Sequence, residues 1–255
     1  MLRRVVRPGR GTLSRLLLVT LVVAHPLQVV AQEEVTSSVR PPTVLRWWHG
    51  AAALGGLSAF MLLDQPLQKF VQGGRSASKD EMANTIRRFG QIEVYGTVTV
   101  GLVAAGLLSG NEGLTRTGGR LAATLAFTGA AGMAGKLIMG RPRPEDSPDA
   151  DGYMPFSGQE AMPSGHTAMA FAFATALSDD INRTWATVGL YTLATGVGWS
   201  RINDNRHWLT DVAAGAALGI TSAKLMNGRW RIFGLRPPGV LLGPGHAGLA
   251  WRVEF

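Results

Sequence analysis

Three short segments in the second half of the chain carry the side chains best suited to chemistry on a phosphate. The first supplies a lysine and an arginine, the second joins a serine, a glycine and a histidine, and the third adds an arginine, a histidine and an aspartate. In chain order these residues are Lys136, Arg143, Ser164, Gly165, His166, Arg201, His207 and Asp211. Cations that hold an anion, with two histidines that attack and protonate, are what phosphoryl transfer needs. The segments therefore predict an anion-binding, phosphoryl-transfer site.

The spacing within the segments supports this interpretation. Guanidinium groups bind a phosphate in a bidentate manner, and an ammonium group meets it as a point charge. Pro163 would open a helix at Ser164 and Gly165, so that the first backbone amides of the helix can also face an anion. His207 and Asp211 are four residues apart, so on a helix they share a face. There a carboxylate can fix the tautomer of the imidazole and leave its other nitrogen free to attack.

The same segments resemble the three-part signature of the type 2 phosphatidic acid phosphatase (PAP2) superfamily, to which the vanadium haloperoxidases are related. The resemblance covers roughly residues 90 to 226. The matching positions are Lys136, Arg143, Pro144, Pro163, Ser164, Gly165, His166, Ser200, Arg201, His207 and Asp211. The pattern Pro-Ser-Gly-His alone would be weak evidence, but three parts in the right order and spacing are specific.

This resemblance implies a role for each matched side chain. His207 would be the nucleophile that forms a phosphohistidine, and Asp211 would orient it. His166 would protonate the leaving oxygen and then activate water. The phosphate would be bound by the three cations together with the serine and glycine of the second segment: Lys136, Arg143, Arg201, Ser164 and Gly165. No metal is expected in this mechanism, because the cations stabilise the charge on the phosphoryl oxygens.

Other polar residues near these segments are expected to have no special role. We expect Arg141 to be a surface or secondary residue, and Asp204 and Arg206 to be solvated charges. His49, beside two tryptophans, is expected to be an interfacial or core histidine.

The formal net charge of +8 comes largely from the N-terminus. Five arginines precede an apolar stretch at 16–24, no acidic residue occurs before Glu33, and small residues at 29–31 suit a cleavage site. Residues 1–31 are therefore predicted to be a signal peptide, with an uncleaved anchor as the alternative. The remainder holds 20 basic and 17 acidic residues, a net charge of +3, which removes the argument for a nucleic-acid partner. The chain has no cysteine, so disulfides and thiol chemistry are excluded.

Hydrophobic patterning predicts an all-α fold, a bundle of about six main helices with the active site at one end. The apolar runs lie at 44–63, 92–109, 120–139, 165–178, 185–200 and 208–226. An amphipathic helix is predicted near 79–89, a long loop over the site at 145–160, and a short hairpin at about 239–255. We divide the chain into the leader 1–31, a linker with N-terminal helices at 32–90, a catalytic core at 91–228 and a C-terminal tail at 229–255.

The helices could form an exported bundle or cross a bilayer. Most apolar runs are shorter than the roughly 20 residues that a membrane span needs, and the mean hydropathy of +0.12 is low for a multi-span protein. After an export signal, six crossings would also place the site at the cytoplasmic end. We expect an exported protein of the cell envelope, periplasmic or membrane-associated, with an integral multi-span protein as the alternative.

The chemistry and the resemblance favour a metal-independent phosphatase acting on phosphate monoesters or lipid (pyro)phosphates. One alternative is a vanadium haloperoxidase, because vanadate mimics the pentacoordinate phosphate; vanadate is the one cofactor considered. Another is an inactive membrane or structural protein. The expected partner is a phosphorylated lipid or a small phosphate ester, with membrane association. The sequence does not distinguish between the lipid and the soluble substrate.

Overall fold

The computed structural model describes residues 41–233, 239–243 and 246–250. The helices in these ranges are α1 (Trp47–Gly73), α2 (Ala77–Arg88), α3 (Ile92–Ser109), α4 (Glu112–Met139), α5 (Gly165–Ile181), α6 (Thr184–Asn203) and α7 (Leu209–Met226). The strands are β1 (Thr43–Leu45), β2 (Trp230–Ile232), β3 (Gly239–Gly243) and β4 (His246–Ala250). The predicted signal peptide, 1–31, lies outside the described residues.

The helices pack into a bundle, which confirms the predicted fold class. Helix α5 lies at its centre and packs against α4, α6 and α7, while α3 packs on α4 and α2 on α6. The six predicted main helices correspond to α1 and α3–α7, and α2 is the predicted amphipathic helix. The segment between α4 and α5 forms no helix or strand, as its prolines, glycines and acids indicated.

Local signals fix the ends of helix α4. Asn111 precedes the helix, and its side-chain oxygen accepts a hydrogen bond from the amide of Leu114 at 3.2 Å, which satisfies one of the free amides of the first turn. Gly140 ends the helix with a φ of +53°. A Cβ at Gly140 would lie 1.7 Å from the carbonyl oxygen of Met154. Glycine is therefore required where the chain turns into the site loop.

The central contact of the bundle is built from small residues. Helix α5 buries a series of alanines, namely Ala168, Ala170, Ala172, Ala174 and Ala176. Helix α7 faces it with Gly215 and Gly219, where an added Cβ would lie 2.6 Å and 2.3 Å from backbone carbonyl oxygens of α5 and its N-cap. The two backbones therefore approach closely, and α5 holds the start of α7 near its own start.

Helix α1 buries polar side chains and exposes apolar ones, which is the reverse of the usual pattern. Its two buried residues are polar, Asp64 and Gln68, whereas large apolar side chains such as Leu62 and Phe70 are each 79% exposed. The sequence-based division placed the apolar run at 44–63 and a charged segment after it. The helix instead continues to Gly73 and turns its polar residues towards the bundle.

Short strands flank the helices. Strand β1 pairs in parallel with β2, in the register Thr43 with Trp230; this pair was not predicted, because three-residue strands carry no measurable periodicity. Strands β3 and β4 pair antiparallel and form the predicted hairpin, whose last residues, 251–255, lie outside the described part.

Candidate active site

The bundle topology brings the three sequence segments to one end. Lys136 lies in the last turn of α4, and Arg143 follows in the loop. Ser164 is the N-cap of α5, Arg201 lies in the last turn of α6, and Asp211 in the first turn of α7. Because these four consecutive helices alternate in direction, two C-termini and two N-termini meet at the same end. This is the arrangement expected from the helix count.

Glu160 of the loop before α5 links the cations of the first segment. Its carboxylate lies 3.5 Å from the ammonium of Lys136 and 4.0 Å from the guanidinium of Arg143. Glu145 pairs in the same way with Arg143, at 3.8 Å, and with Arg206. Arg206 is thus bound to a loop carboxylate, although it was expected to be solvated. The loop acids hold three cations together at the mouth of the site.

His166 is influenced by positive charges on three helices. Burial lowers the pKa of His166 to about 4, and the cations Arg201, Arg87 and Lys136 act in the same direction. At neutral pH the imidazole is therefore uncharged in the free protein. Lys136 in the last turn of α4, Arg201 in the last turn of α6 and the two histidines beside the starts of α5 and α7 lie at the same end of the bundle.

His207 is buried and firmly held. Its Nδ1 lies 2.7 Å from the carbonyl oxygen of Ala161 and 3.6 Å from Oδ2 of Asp211. Burial lowers the pKa of the imidazole, and the Asp211 carboxylate opposes this effect. Nδ1–H therefore donates to the Ala161 carbonyl, and Nε2 is the nitrogen left unprotonated. Asp211, at 3.6 Å, lies beyond hydrogen-bond distance of Nδ1, so the Ala161 carbonyl fixes the tautomer.

The start of α5 differs from the sequence-based expectation in one respect. The amide of Ser164 donates to the backbone carbonyl of Asp211 at 3.0 Å, so it does not point to a ligand. The Ser164 hydroxyl accepts a hydrogen bond from Thr167 at 3.0 Å. A Cβ at Gly165 would meet open space, which leaves the backbone accessible there. The backbone amides that could contact an anion at the helix start are therefore those of Gly165 and the residues after it, while the Ser164 hydroxyl keeps its own hydrogen to donate.

The side chain of Arg201 is almost completely buried and forms an ion pair with one carboxylate. Its guanidinium lies 2.9 Å from Asp204, which also lies 3.7 Å from Arg87 of α2. Burial lowers the pKa of Arg201 to about 10, so the group stays charged at neutral pH. Within the described residues, Nε of Arg201 is buried without a hydrogen-bond partner. Asp204, which was expected to be solvated, instead joins two guanidinium groups.

Arg87 is a site residue that the sequence reasoning missed. It ends α2, and its charge is among those that act on both His166 and Arg201. The sequence shows it as one member of a basic pair in an amphipathic helix. No spacing relates it to the three segments.

Arg141 corrects another expectation, since its side chain is completely buried. Its guanidinium donates to Asp211 at 2.7 Å and to Asp64 of α1 at 2.6 Å. Burial disfavours its charge, but the two carboxylates outweigh burial and raise its pKa. Asp64 was not singled out from the sequence. The expectation of a surface position for Arg141 is therefore wrong.

Comparison with known proteins points to one family. Residues 117–231 match the model of the PAP2 superfamily, and that range contains all three signature segments. The part of the chain that carries the site is therefore similar to the PAP2 superfamily. The all-α bundle and the resemblance stated from the sequence agree with this assignment.

Individual relatives are similar over part of the chain. The lipid A 1-phosphatase of Porphyromonas gingivalis is 40% identical over 127 residues, which are 48% of this chain and 26% of that protein. The match thus spans about a quarter of the length of that relative. The crystal structure of Aquifex aeolicus LpxE aligns with a TM-score of 0.51 at 23% identity, over 65% of this chain and 94% of that chain.

A second solved structure is that of the first transmembrane PAP2 type phosphatidylglycerolphosphate phosphatase from Bacillus subtilis. It aligns with a TM-score of 0.52 at 18% identity, over 70% of this chain and 94% of that chain. At these identities the two structures show that the bundle fold is shared.

Proposed function

We propose that this chain is a metal-independent phosphatase that removes the phosphate group of phosphorylated lipids through a phosphohistidine. The observation that carries the proposal is the meeting of the two histidines with Lys136 and Arg201 at one end of the bundle. There His207 is held by the Ala161 carbonyl at 2.7 Å and by Asp211 at 3.6 Å. Two imidazoles among several cations suit the binding and cleavage of a phosphate dianion.

The free protein is in the protonation state that the first step needs on His207. Its pKa is lowered by burial, and its Nδ1–H donates a hydrogen bond to the Ala161 carbonyl, so Nε2 carries a lone pair. Nε2 forms a bond to phosphorus while the bond from phosphorus to the leaving oxygen breaks. That oxygen takes a proton from His166, which has acquired it as the phosphate dianion binds and offsets the nearby cations.

In the second step, water attacks the phosphohistidine. His166 takes a proton from the water, the oxygen of the water forms a bond to phosphorus, and the bond from phosphorus to Nε2 of His207 breaks. Inorganic phosphate and the original imidazole result. Arg201, with an unpartnered Nε, and the cations Lys136 and Arg143 stabilise the charge of the phosphoryl oxygens during both steps.

A lipid substrate is supported by two observations. The relative named lipid A 1-phosphatase is 40% identical over about half of this chain. The segments Ala77–Ser109 and Glu112–Met139 are long and apolar enough to cross a membrane, and their apolar windows are only 17% and 28% buried. We infer that the acyl chains of the substrate remain in a bilayer while its phosphate, such as the 1-phosphate of lipid A, enters the site.

The experiment uses purified full-length protein in detergent, with a generic aryl phosphate and a lipid A phosphate as substrates, in the presence of a metal chelator. We expect phosphate release from both, and an acid-labile phosphoprotein that forms on rapid quenching. His207→Ala should abolish turnover and labelling. His49→Ala, which changes a histidine of α1 outside the site, is the matched control and should retain activity. Turnover that survives in His207→Ala, or disappears with the chelator, contradicts the proposal.

A further inference from the structure

Helix α1 contacts the site end of the bundle through polar side chains spaced by four residues. Asp64 accepts a hydrogen bond from the amide of Thr210 at 2.8 Å, in the first turn of α7. Gln68 donates to Asn205. Gln72 donates to the carbonyl oxygens of two residues at the end of α6, Ile202 and Asn203, at 3.1 and 3.2 Å. One face of α1 therefore holds the segment that carries His207.

Arg141 connects Asp64 to the catalytic segment. Its guanidinium lies between the carboxylates of Asp64 and Asp211, at 2.6 and 2.7 Å, and all three side chains are fully buried. Nε and one terminal nitrogen also donate to the carbonyl of Ala150, at 2.9 and 2.7 Å. Asp211 additionally accepts from the amide of Trp208 at 2.8 Å. The group is thus a hydrogen-bonded unit with its charged atoms paired.

Arg141 also reaches His207 by a second route, through its backbone. Its carbonyl oxygen accepts a hydrogen bond from the amide of Ala161 at 2.9 Å. The carbonyl of Ala161 in turn lies 2.7 Å from Nδ1 of His207. Both groups that face Nδ1, the Ala161 carbonyl and the Asp211 carboxylate, are therefore placed by the same arginine.

The charges of this unit explain why two carboxylates are present. Arg141 and Asp211 alone would sum to zero, and Asp211 would have little remaining negative charge to offer the imidazole. With Asp64 ionised, the three groups carry a net charge of −1 in a buried region next to His207. When phosphorus bonds to Nε2, the ring becomes cationic, because Nδ1 keeps its hydrogen. A net negative charge stabilises that cation.

We propose that Asp64 and Arg141 are positioning residues of the nucleophile, with Asp64 maintaining the negative charge that Asp211 offers to His207. This inference rests on the proposed function of His207. It assigns to α1, a helix that precedes the signature segments, a part in the reaction. The distances and the burial carry it, together with the fact that Arg141 contacts both partners of His207.

The test is Asp64→Asn, which keeps the size of the side chain and removes its charge. With an aryl phosphate we expect kcat to fall by about 10- to 100-fold, the range typical of residues that orient a reacting group, while KM changes by less than about 3-fold. The imidazole of His207, followed by NMR in histidine-labelled protein, should titrate at lower pH than in the wild type. A purely structural role would not move this titration.

The titratable and charged groups around His207 lie on several elements. They are Asp211 on α7, Arg201 on α6, His166 on α5, Arg141 in the loop after α4, which pairs with Asp211, and Asp64 on α1, which pairs with Arg141. The titration is therefore also recorded in His166→Gln, so that the change due to Asp64 is separated from that of the second histidine.

A control variant breaks a different ion pair, at the ends of α5 and α7 that lie away from the site. Asp179 of α5 and Lys224 of α7 lie 2.6 Å apart, far along both helices from the site. Asp179→Asn should leave kcat within about 2-fold and the His207 titration unchanged. If it lowers kcat as much as Asp64→Asn does, loss of stability explains both and the proposal is overturned.

Asp64→Asn, Arg141→Met and the double variant that combines them form a double-mutant cycle. If Asp64 and Arg141 act as a unit, Asp64→Asn costs little further activity in the Arg141→Met background; additive losses overturn the proposal.

Should Asp64→Asn fail to fold, Arg141→Lys takes its place, because a lysine cannot bridge both carboxylates, and an unchanged His207 titration then overturns the proposal. Activity retained by His207→Ala would instead refute the proposed function, whatever the titration shows.

Discussion

At the scale of single residues, the two site histidines differ in how their environments set their protonation. His207 is kept neutral by burial and has a fixed hydrogen-bond acceptor at Nδ1, the Ala161 carbonyl. His166 is kept neutral by burial and by surrounding cations. When an anion enters the site, it offsets the surrounding cations but leaves the burial of both histidines unchanged. Phosphate binding should therefore recruit a proton to His166 and leave His207 ready to attack.

This difference gives a pH dependence of stability with a definite sign. The pKa of His166 is about 4 in the folded protein and about 6.5 in the unfolded chain, so unfolding takes up a proton between these values. The stability contributed by neutral His166 is complete above pH 6.5 and is lost as pH falls towards 4. Allowing for the partial exposure of His166, the free energy of unfolding should fall by roughly 2 kcal/mol between pH 6.5 and 4.

The measurement is Tm against pH for the wild type and His166→Gln. We expect the wild type to lose several degrees more than the variant between pH 6.5 and 4, and added phosphate to reduce that difference. Parallel curves for the two proteins would contradict the assigned environment of His166.

At the scale of elements, the contact between α5 and α7 sets the geometry of the site. Gly219 faces the backbone carbonyl of Ala168, where a Cβ would lie 2.3 Å from the oxygen. The amide of Ser164, at the start of α5, donates a hydrogen bond to the carbonyl oxygen of Asp211 at 3.0 Å. A shift of α7 would therefore move Asp211 relative to the second segment.

We expect Gly219→Ala to force α7 away from α5 and to lower stability by about 1–3 kcal/mol, as overpacking does, with a loss of kcat beyond the loss of folded protein. Gly189→Ala in α6 is the matched control, because a Cβ there meets open space; it should raise helix stability by roughly 0.5–1 kcal/mol. Chemical denaturation and activity at full folding measure both. Equal behaviour of the two variants would show that the close approach does not govern the site.

At the scale of the whole molecule, the apolar exterior and the polar contact surface of α1 indicate association with a membrane. Trp47 is 75% exposed and Leu108 90% exposed, and large apolar side chains cover α1 and α3. Monomeric soluble proteins rarely expose such extended apolar surfaces. The described part of the chain thus combines a charged site at one end with apolar helix faces along its sides.

Fractionation of cells that express the full chain tests this arrangement. We expect the protein to sediment with membranes, to resist extraction by high salt and by alkaline carbonate, and to be released by detergent, because apolar contacts are not screened by salt. Separation of inner from outer membranes would then test the predicted export to the envelope. Release by salt alone would contradict apolar insertion.

The sequence by itself determined which residue types make up the candidate site and at which end of the bundle they lie. Three segments at specific spacings indicated the phosphate chemistry, and the apolar runs predicted the helices. Because consecutive helices alternate in direction, the count alone placed Lys136, His166, Arg201 and His207 at one end. These inferences depend on local periodicity and short motifs, which a single sequence displays.

The tertiary structure alone decided which groups hold His207. Arg141 meets Asp64, 77 residues away, and Asp64 meets the amide of Thr210, 146 residues away. Ala161 contributes only a backbone carbonyl, a group that every residue has. Contacts between distant positions leave no period in the sequence, and burial that turns a surface-like arginine into a paired internal charge exists only once the helices have packed.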